Sequence, residues 1–233
     1  MKKYLLIIGF VLIGITAQSQ VIISLLLGDK LNSPNLEFGL EGGFNYTNIS
    51  GFESSEMLRN FNLGFYFDIK VKNQWYFYTG VQVKSSFGLD DLTQNDLTFL
   101  EWDMEHYDGN YKQKVNAFMV PILANYKFKN HFYVEAGPQL GLVYNSWIQF
   151  DSDENHKETR IKDYNRGLTN WINGGLAGGF GYKLQKGKGM TIGVRYYQAL
   201  TNVLEDTDGS INNSFHIKVN IPIGAGKVVK NGE

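Results

Sequence analysis

Residues 61–87, FNLGFYFDIKVKNQWYFYTGVQVKSSF, contain the pattern that decides the fold. Every second residue from Phe61 to Val71 is apolar, and the positions between them hold polar side chains or glycine. A polar turn at 72–74 follows, and a second alternating run begins at Trp75. Because a β-strand directs successive side chains to opposite faces, each run has one apolar and one polar face. Strict alternation over about ten residues is typical of transmembrane β-barrel strands.

Six further segments show the same alternation, although it is weaker in the strand that carries Met119 and Leu123 on its second face. These segments are residues 36–50, 115–128, 132–147, 171–184, 190–197 and 215–223. A sheet that spans a membrane must close on itself, because an open edge would leave backbone groups unpaired in lipid. Bacterial barrels also have an even number of strands. The sequence therefore predicts an all-β fold, an eight-stranded antiparallel up-and-down transmembrane β-barrel.

The connections between the predicted strands alternate in length and in charge. Short turns join strands two and three, four and five, and six and seven, and they are rich in lysine. The long connections are residues 51–60, 88–114, 151–167 and 201–213, and they hold most of the acidic residues. Outer-membrane barrels place short turns in the periplasm and long loops outside the cell. We therefore expect short periplasmic turns and long extracellular loops.

The acidic loops suggest a weak interaction with cations. Hard divalent ions prefer carboxylate oxygens, so we expect Mg²⁺ or Ca²⁺ to bridge loop carboxylates around 90–108 and 151–158 to lipid phosphates. Simple solubility of exposed loops explains the charge equally well.

The composition and the first residues bear on the compartment. The 233 residues include no cysteine, which excludes disulfide and thiol chemistry. Two lysines, an apolar stretch and small residues near Ala17 form a secretory signal peptide, with an uncleaved anchor through 21–27 as the alternative. We expect the protein in the cell outer membrane. The expected divisions are a signal peptide at 1–19, a periplasmic lead-in segment at 20–34, the outer-membrane barrel at 35–224 and a polar tail at 225–233.

Charged side chains lie on the polar face of the strands, and their number separates two kinds of barrel. A soluble lipocalin-like barrel would turn its apolar face inward and its charges to solvent. Here the polar face has too little charge for a solvent surface, so we expect the charges inside, paired with one another in a narrow interior. A gated ion path through them is the alternative. The predicted lumen charge network comprises Glu37, Glu41, Asp68, Lys70, Lys84, Glu135, Lys183, Arg195, His216 and Lys218.

Few residues suggest catalysis or metal binding. Ser214 and His216 lie on one face of the last strand, as a lipid A deacylase would require, but the sequence places no acid beside them. The stretch from Asp151 begins like a calcium loop, yet His156 and Lys162 stand where such a loop needs Gly and Glu. The sequence has neither a phosphate-binding glycine loop nor a basic stripe for nucleic acid. We predict no catalytic, cofactor-binding or defined metal site and no nucleic-acid partner.

Three stretches carry a family resemblance: LLLGDKLNSPNLEFGLEGGFNYTNISG at 25–51, KNQWYFYTG at 72–80 and KNHFYVEAGP at 129–138. Over residues 21–224 the chain resembles the PorT-type outer-membrane β-barrel family of Bacteroidetes. PorT itself belongs to a secretion and gliding-motility system, and the resemblance implies no catalytic motif.

We expect a non-enzymatic outer-membrane barrel for structural anchoring or for surface or partner interaction. Its expected partners are outer-membrane lipid and periplasmic or surface proteins. Loop length favours this function, since the 88–114 connection exceeds the roughly 12–15 residues of ordinary loops. A lipid-modifying enzyme, a narrow channel and an accessory barrel of a secretion or transport machine are the alternatives.

Overall fold

The computed structural model describes residues 33–102, 109–154, 157–187, 189–205 and 207–223. Within them the strands are β1 Leu36–Ile49, β2 Leu58–Lys72, β3 Trp75–Lys84, β4 Ser86–Leu89, β5 Asn110–Lys127, β6 Phe132–Glu154, β7 Lys157–Tyr164, β8 Ile172–Lys183, β9 Thr191–Asn202 and β10 Ile211–Pro222. The helix α1 covers Gln94–Phe99, a 3-10 helix covers Arg166–Leu168, and a left-handed turn covers Leu184–Gly187. None of the helical segments found there has the length and apolar character to cross a membrane. The predicted signal peptide, residues 20–32 of the lead-in segment and the polar tail lie outside the described residues.

Eight strands form a closed antiparallel ring in the described part of the chain. Their order is β1, β2, β3, β5, β6, β8, β9 and β10, and β10 pairs with β1 to complete the circle. Each strand of the ring is hydrogen-bonded to its neighbours in sequence order, once β4 and β7 are set aside. This arrangement confirms the predicted eight-stranded antiparallel up-and-down barrel.

The two rims of the barrel differ as the connection lengths predict. Tight turns follow β2, β5 and β8 at one end, which we call the short-turn rim. Asn73 and His131 have positive φ angles of 52° and 70° there, the left-handed conformation that lets the chain reverse within a few residues. The long connections lie at the other end, which we call the loop rim.

Parts of the connections that the sequence assigns to loops are strands, so the prediction was wrong in this detail: residues 151–154 and 157–164 belong to β6 and β7, and residues 88–89 and 110–114 belong to β4 and β5. β6 continues to Glu154 and forms a hairpin with β7, in which Asp151 pairs with Arg160. β4 continues the direction of β3 after Ser85 and pairs with β5. These strands extend past the apolar band of the wall, where the outer face has no need of apolar side chains. The alternation that marks the other strands is therefore absent from β7, whose sequence is KETRIKDY.

The outer face of the wall is apolar and exposed, whereas the inner face is polar and buried. Phe180, Ile192 and Ile217 point outward with 60%, 48% and 44% of their surface exposed. Asn62, Gln139 and many other polar side chains point inward and are buried. An apolar band around the outside of a barrel with a polar interior is the surface that a lipid bilayer requires.

Apolar residues fill the interior near the loop rim, and we call them the loop-rim apolar cluster. Thr93 caps α1 in a reciprocal pair of bonds with Asp96. The Asp96 carboxylate also accepts hydrogen bonds from the backbone N–H groups of Glu53 and Ser54, at 2.8 and 3.0 Å, which fastens the 51–57 segment to α1. The connection after β4 is thereby folded over the barrel. The cluster comprises Ile49, Phe87, Leu89, Leu97, Leu100, Tyr111, Ile148 and Phe150.

Candidate functional site

The centre of the barrel holds four charged residues in contact, which we call the central ion cluster: Glu41, Glu135, Arg195 and Lys218. Arg195 on β9 has no exposed surface, and its Nε donates to Glu135 Oε1 at 2.7 Å. Its Nη1 donates to Glu41 Oε1 at 3.3 Å. Lys218 Nζ lies 2.9 Å from the Glu135 carboxylate and 3.6 Å from Glu41 Oε2. Two carboxylates therefore face two cations, and the cluster has no formal net charge.

Neutral side chains complete the hydrogen bonding of the central ion cluster. Tyr78 and Gln82 on β3 both donate to the Glu41 carboxylate. The Tyr78 hydroxyl accepts a hydrogen bond from Asn220 Nδ2 at 2.7 Å, and Lys218 Nζ lies 4.5 Å from the centre of the Tyr78 ring. Buried charges are tolerated only when their remaining lone pairs and protons are satisfied. β1, β3, β6, β9 and β10 all contribute to this arrangement, so it links opposite walls of the barrel.

Glycine residues on β8 and β9 make room for Tyr133 of β6, whose ring lies along the inner wall over these two neighbouring strands. A Cβ atom at Gly193 would lie 2.2 Å from the Tyr133 hydroxyl oxygen, and one at Gly181 would lie 2.5 Å from Tyr133 Cε1. Both distances are far below van der Waals contact, and the backbone oxygens of Phe180 and Ile192 lie at 2.9 and 2.4 Å from the same two positions, so neither accepts a larger residue without movement of the ring and of the backbone. The small residues on the inner face thus allow large polar side chains to fill the barrel.

A cavity of about 170 Å³ lies between the central ion cluster and the short-turn rim. Two further ion pairs line it: Glu37 with Lys183, and Asp68 with Lys127. The Tyr66 hydroxyl also donates to Glu37, at 2.9 Å. The cavity has Glu135 and Lys218 among its lining residues, so it reaches the central ion cluster.

The structure places most of the ten predicted network residues inside the barrel, with two exceptions. Lys84 points outward, because a β-bulge pairs Gly64 with Gln82 but Leu63 with Lys84. Its ammonium lies 5.7 Å from the Phe61 ring centre on the outer face. Lys70 is exposed, since it lies near the end of strand β2 at the short-turn rim. In the described residues neither lysine forms an ion pair, so the pairing predicted for both was wrong.

Lys127, the partner of Asp68, is the residue that the sequence reasoning missed. Tyr126 and Phe128 belong to the outward phase of β5, so Lys127 between them must point inward. The alternation of β5 was therefore sufficient to place Lys127 on the inner face. Its pairing with Asp68 joins residues 59 positions apart in the chain.

Ser214 and His216 do not form a catalytic pair in the described part of the chain. The Ser214 hydroxyl donates to Asn212 Oδ1 at 3.1 Å, and His216 Nδ1 lies 3.1 Å from Asn62 Nδ2. A serine nucleophile needs its base within hydrogen-bond reach, and no hydrogen bond joins these two side chains. The described residues also contain no group of three His, Cys, Asp or Glu side chains able to hold a metal ion.

Comparison with known proteins identifies the family. The model of the outer membrane protein beta-barrel domain matches residues 17–205, most of the chain. No functionally curated protein matches the sequence.

Several solved structures are similar to this chain. Ail of Yersinia pestis, in complex with the heparin analogue sucrose octasulfate, is 7% identical, with 81% of this chain and 99% of Ail covered and a TM-score of 0.44. Neisserial surface protein A is 10% identical, with coverage of 80% and 96% and a TM-score of 0.39. OprG of Pseudomonas aeruginosa is 13% identical, with coverage of 81% and 93% and a TM-score of 0.33. Because the family model matches most of its length and its strands form a closed ring of eight, this chain belongs to the outer membrane protein beta-barrel domain family and is a protein of the outer membrane.

Proposed function

We propose that this barrel is non-enzymatic and closed to ions, and that it anchors a structured loop surface to which a partner binds. The observation that carries the proposal is the filling of the interior at two levels. The central ion cluster joins opposite walls at mid-height, and the loop-rim apolar cluster occupies the space above it. Ser214 and His216 each form hydrogen bonds with other side chains and not with one another, which supports the absence of lipid hydrolysis.

The loop surface consists of residues 51–57 and 90–102, which we call the loop platform. Thr93 Oγ1 and Asn95 Nδ2 donate to the Glu53 carboxylate at 3.0 and 2.8 Å, in addition to the Asp96 bonds. Phe99 packs edge-on against Phe52 and still exposes 47% of its surface. Ordered polar contacts around an exposed aromatic side chain are a common arrangement at protein interfaces.

A crosslinking pull-down from native membranes tests the proposal. The wild-type protein should recover a partner that Phe99→Ser loses, because that substitution removes the exposed ring from the loop platform. Val71→Ser, which changes an exposed residue at the short-turn rim, is the matched control and should recover the same partner as the wild type. Recovery of identical proteins by Phe99→Ser and wild type would contradict partner binding by the platform. Release of fatty acid from lipid A or phospholipid by the purified barrel would contradict the non-enzymatic assignment.

We also propose the finer assignments that follow from the sequence. Residues 1–19 act as a signal peptide, 20–34 as a periplasmic lead-in segment and 225–233 as a polar tail, with the loops outside the cell. The hairpin sequences support membership of the PorT-type family of Bacteroidetes, and an accessory role in a secretion machine is the alternative function. Amino-terminal sequencing of the mature protein should begin at Gln20. A mature chain that retains Met1 would contradict cleavage.

A further inference from the structure

A positively charged surface lies on the outer side of the barrel extension, above the apolar band. β5, β6 and β7 run side by side there, and the register places Lys112, Gln149 and Lys162 in one row. Lys114, Trp147 and Tyr164 form the next row toward the band, and Arg160 follows Asp151 in the row beyond. Side chains in one row of a sheet share a face. Four cations are thus gathered on one outward surface, which we call the cationic face: Lys112, Lys114, Arg160 and Lys162.

Two acidic residues pair with cations of this surface, and the register places Asp153 opposite Glu158 in the next row toward the loop rim, so in the described residues the cations without an ion pair are the two nearest the apolar band, Lys114 and Lys162. Asp90 lies 3.1 Å from Lys112, and Asp151 lies 2.6 Å from Arg160. Lys162 instead lies 4.6 Å above the ring of Trp147. Lys114 has neither an ion pair nor a hydrogen bond from its ammonium in the described part of the chain. Partial burial, together with the neighbouring Lys112, lowers the pKa of Lys114. A cation held among cations is stabilised by any anion that reaches it.

A buried donor lies in the same place. Trp147 exposes 8% of its surface, and the described residues offer its Nε1–H no acceptor. A buried N–H group without an acceptor costs free energy in the folded protein. The ring of Trp147 lies beneath Lys162 and beside Tyr164, at 6.2 Å between ring centres. An anion on this face would therefore meet the ammonium groups of Lys114 and Lys162 above a buried aromatic ring.

The height of the cationic face on the barrel identifies the anion. Phe118 and Tyr144, stacked at 4.8 Å on the outer wall, mark the upper part of the apolar band. Lys114 precedes Phe118 by four residues in β5 and so lies nearer the loop rim, roughly 13 Å away along the strand and less along the axis of a tilted barrel. The polar headgroup layer of a bilayer begins directly above its hydrocarbon core. A cation at that height on an outer-membrane barrel lies beside the phosphate groups of the outer leaflet.

We infer that the cationic face binds the phosphate groups of an anionic outer-leaflet lipid, with the acyl chains lying against the aromatic residues below it. Lys114 and Lys162 contact the phosphate oxygens, whereas Lys112 and Arg160 are held by Asp90 and Asp151 in the rows beyond. This interaction needs no divalent cation, since Asp90 and Asp151 are already paired with Lys112 and Arg160. The inference rests on the outer-membrane location and on the proposed orientation with the loops outside the cell, and not on partner binding by the loop platform.

Lipid titration of the full chain in neutral detergent micelles tests the inference. Native mass spectrometry would measure binding of diphosphoryl lipid A and of the same lipid without its phosphates. The wild type should prefer the phosphorylated lipid, and Lys114→Gln with Lys162→Gln should weaken its binding by roughly fivefold for each lysine removed. Lys114→Arg with Lys162→Arg keeps both charges and should retain binding. Lys70→Gln with Lys72→Gln, at the short-turn rim, is the matched control and should bind as the wild type does.

Three results would overturn the inference. Equal affinity of the wild type for the two lipids would show that the protein does not recognise the phosphate groups. Heat-modifiable gel migration would show that the double glutamine variant is folded. An unchanged lipid affinity of that folded variant would place the site elsewhere. Tighter binding of soluble heparin than of diphosphoryl lipid A would assign the surface to a soluble polyanion.

Discussion

The substitution Arg195→Met removes one member of the central ion cluster and tests whether that cluster stabilises the barrel. Arg195 is fully buried and contacts Glu135 at 2.7 Å and Glu41 at 3.3 Å. Methionine keeps a long side chain but leaves two carboxylates to share the single ammonium of Lys218. Loss of one partner of a buried ion pair costs about 3–5 kcal/mol, because the remaining charge has lost its counter-ion in a medium of low dielectric constant.

Urea unfolding of the refolded barrel in detergent micelles measures this loss. With a slope of roughly 2 kcal/mol per molar urea, a loss of about 4 kcal/mol lowers the unfolding midpoint by roughly 2 M. Combining Arg195→Met with Glu135→Gln leaves Glu41 and Lys218 as a balanced pair, so the double variant should recover part of the stability. Lys70→Met, at an exposed position, is the control. If Arg195→Met unfolded at the wild-type urea concentration, the cluster would not be a source of stability and this reasoning would be refuted.

Three further predictions concern the topology, the outer face and the packing of the interior. In whole cells an impermeant maleimide should label Ser55→Cys on the loop rim but not Asn130→Cys on the short-turn rim, and the opposite pattern would reverse the orientation. Ile217→Arg should cost about 2–4 kcal/mol in lipid if it lies near the bilayer midplane, as refolding yield into vesicles would reveal, whereas equal yields would argue against a lipid-facing wall. Gly193→Ala should lower the unfolding midpoint by an amount worth about 1–3 kcal/mol, and Tyr133→Phe in the same chain should restore part of it by removing the hydroxyl that the new methyl meets at 2.2 Å. No rescue at all would assign the obstruction to the Phe180 backbone oxygen, 2.9 Å from the new methyl, and not to Tyr133.

The alternation predicts the barrel well because every strand of the wall has lipid on one face and the polar interior of the barrel on the other. Lipid on one side and a packed polar interior on the other require different side chains at successive positions. Phe180 and Ile217 therefore point outward, and Glu135 inward, as their phases indicate. β7 is not predicted because it lies beyond the apolar band, where the outer face of a strand does not contact lipid. The direction of Lys84 is predicted wrongly because a bulge reverses the order of inward and outward side chains there. The sequence around Val83 carries no sign of that bulge.

The pairing inside the barrel is harder to predict than the direction of each side chain. The sequence shows that Glu41 and Arg195 share the inner face, but these residues are 154 positions apart. Which side chains meet across the interior depends on the stagger and tilt of the closed ring, which alternation within single strands does not contain. The partner of Asp68 shows the same limit, since Lys127 lies on β5 and no local pattern links the two strands.

Single-channel recording in planar lipid bilayers tests the central claim, which is that the interior is closed between the two rims. The central ion cluster and the loop-rim apolar cluster lie in series, so an ion would have to displace both to cross. We expect the purified, folded barrel to produce no unitary conductance steps in concentrated salt. Reproducible steps of one size, present with the folded wild type and absent after heat denaturation, would contradict a closed interior.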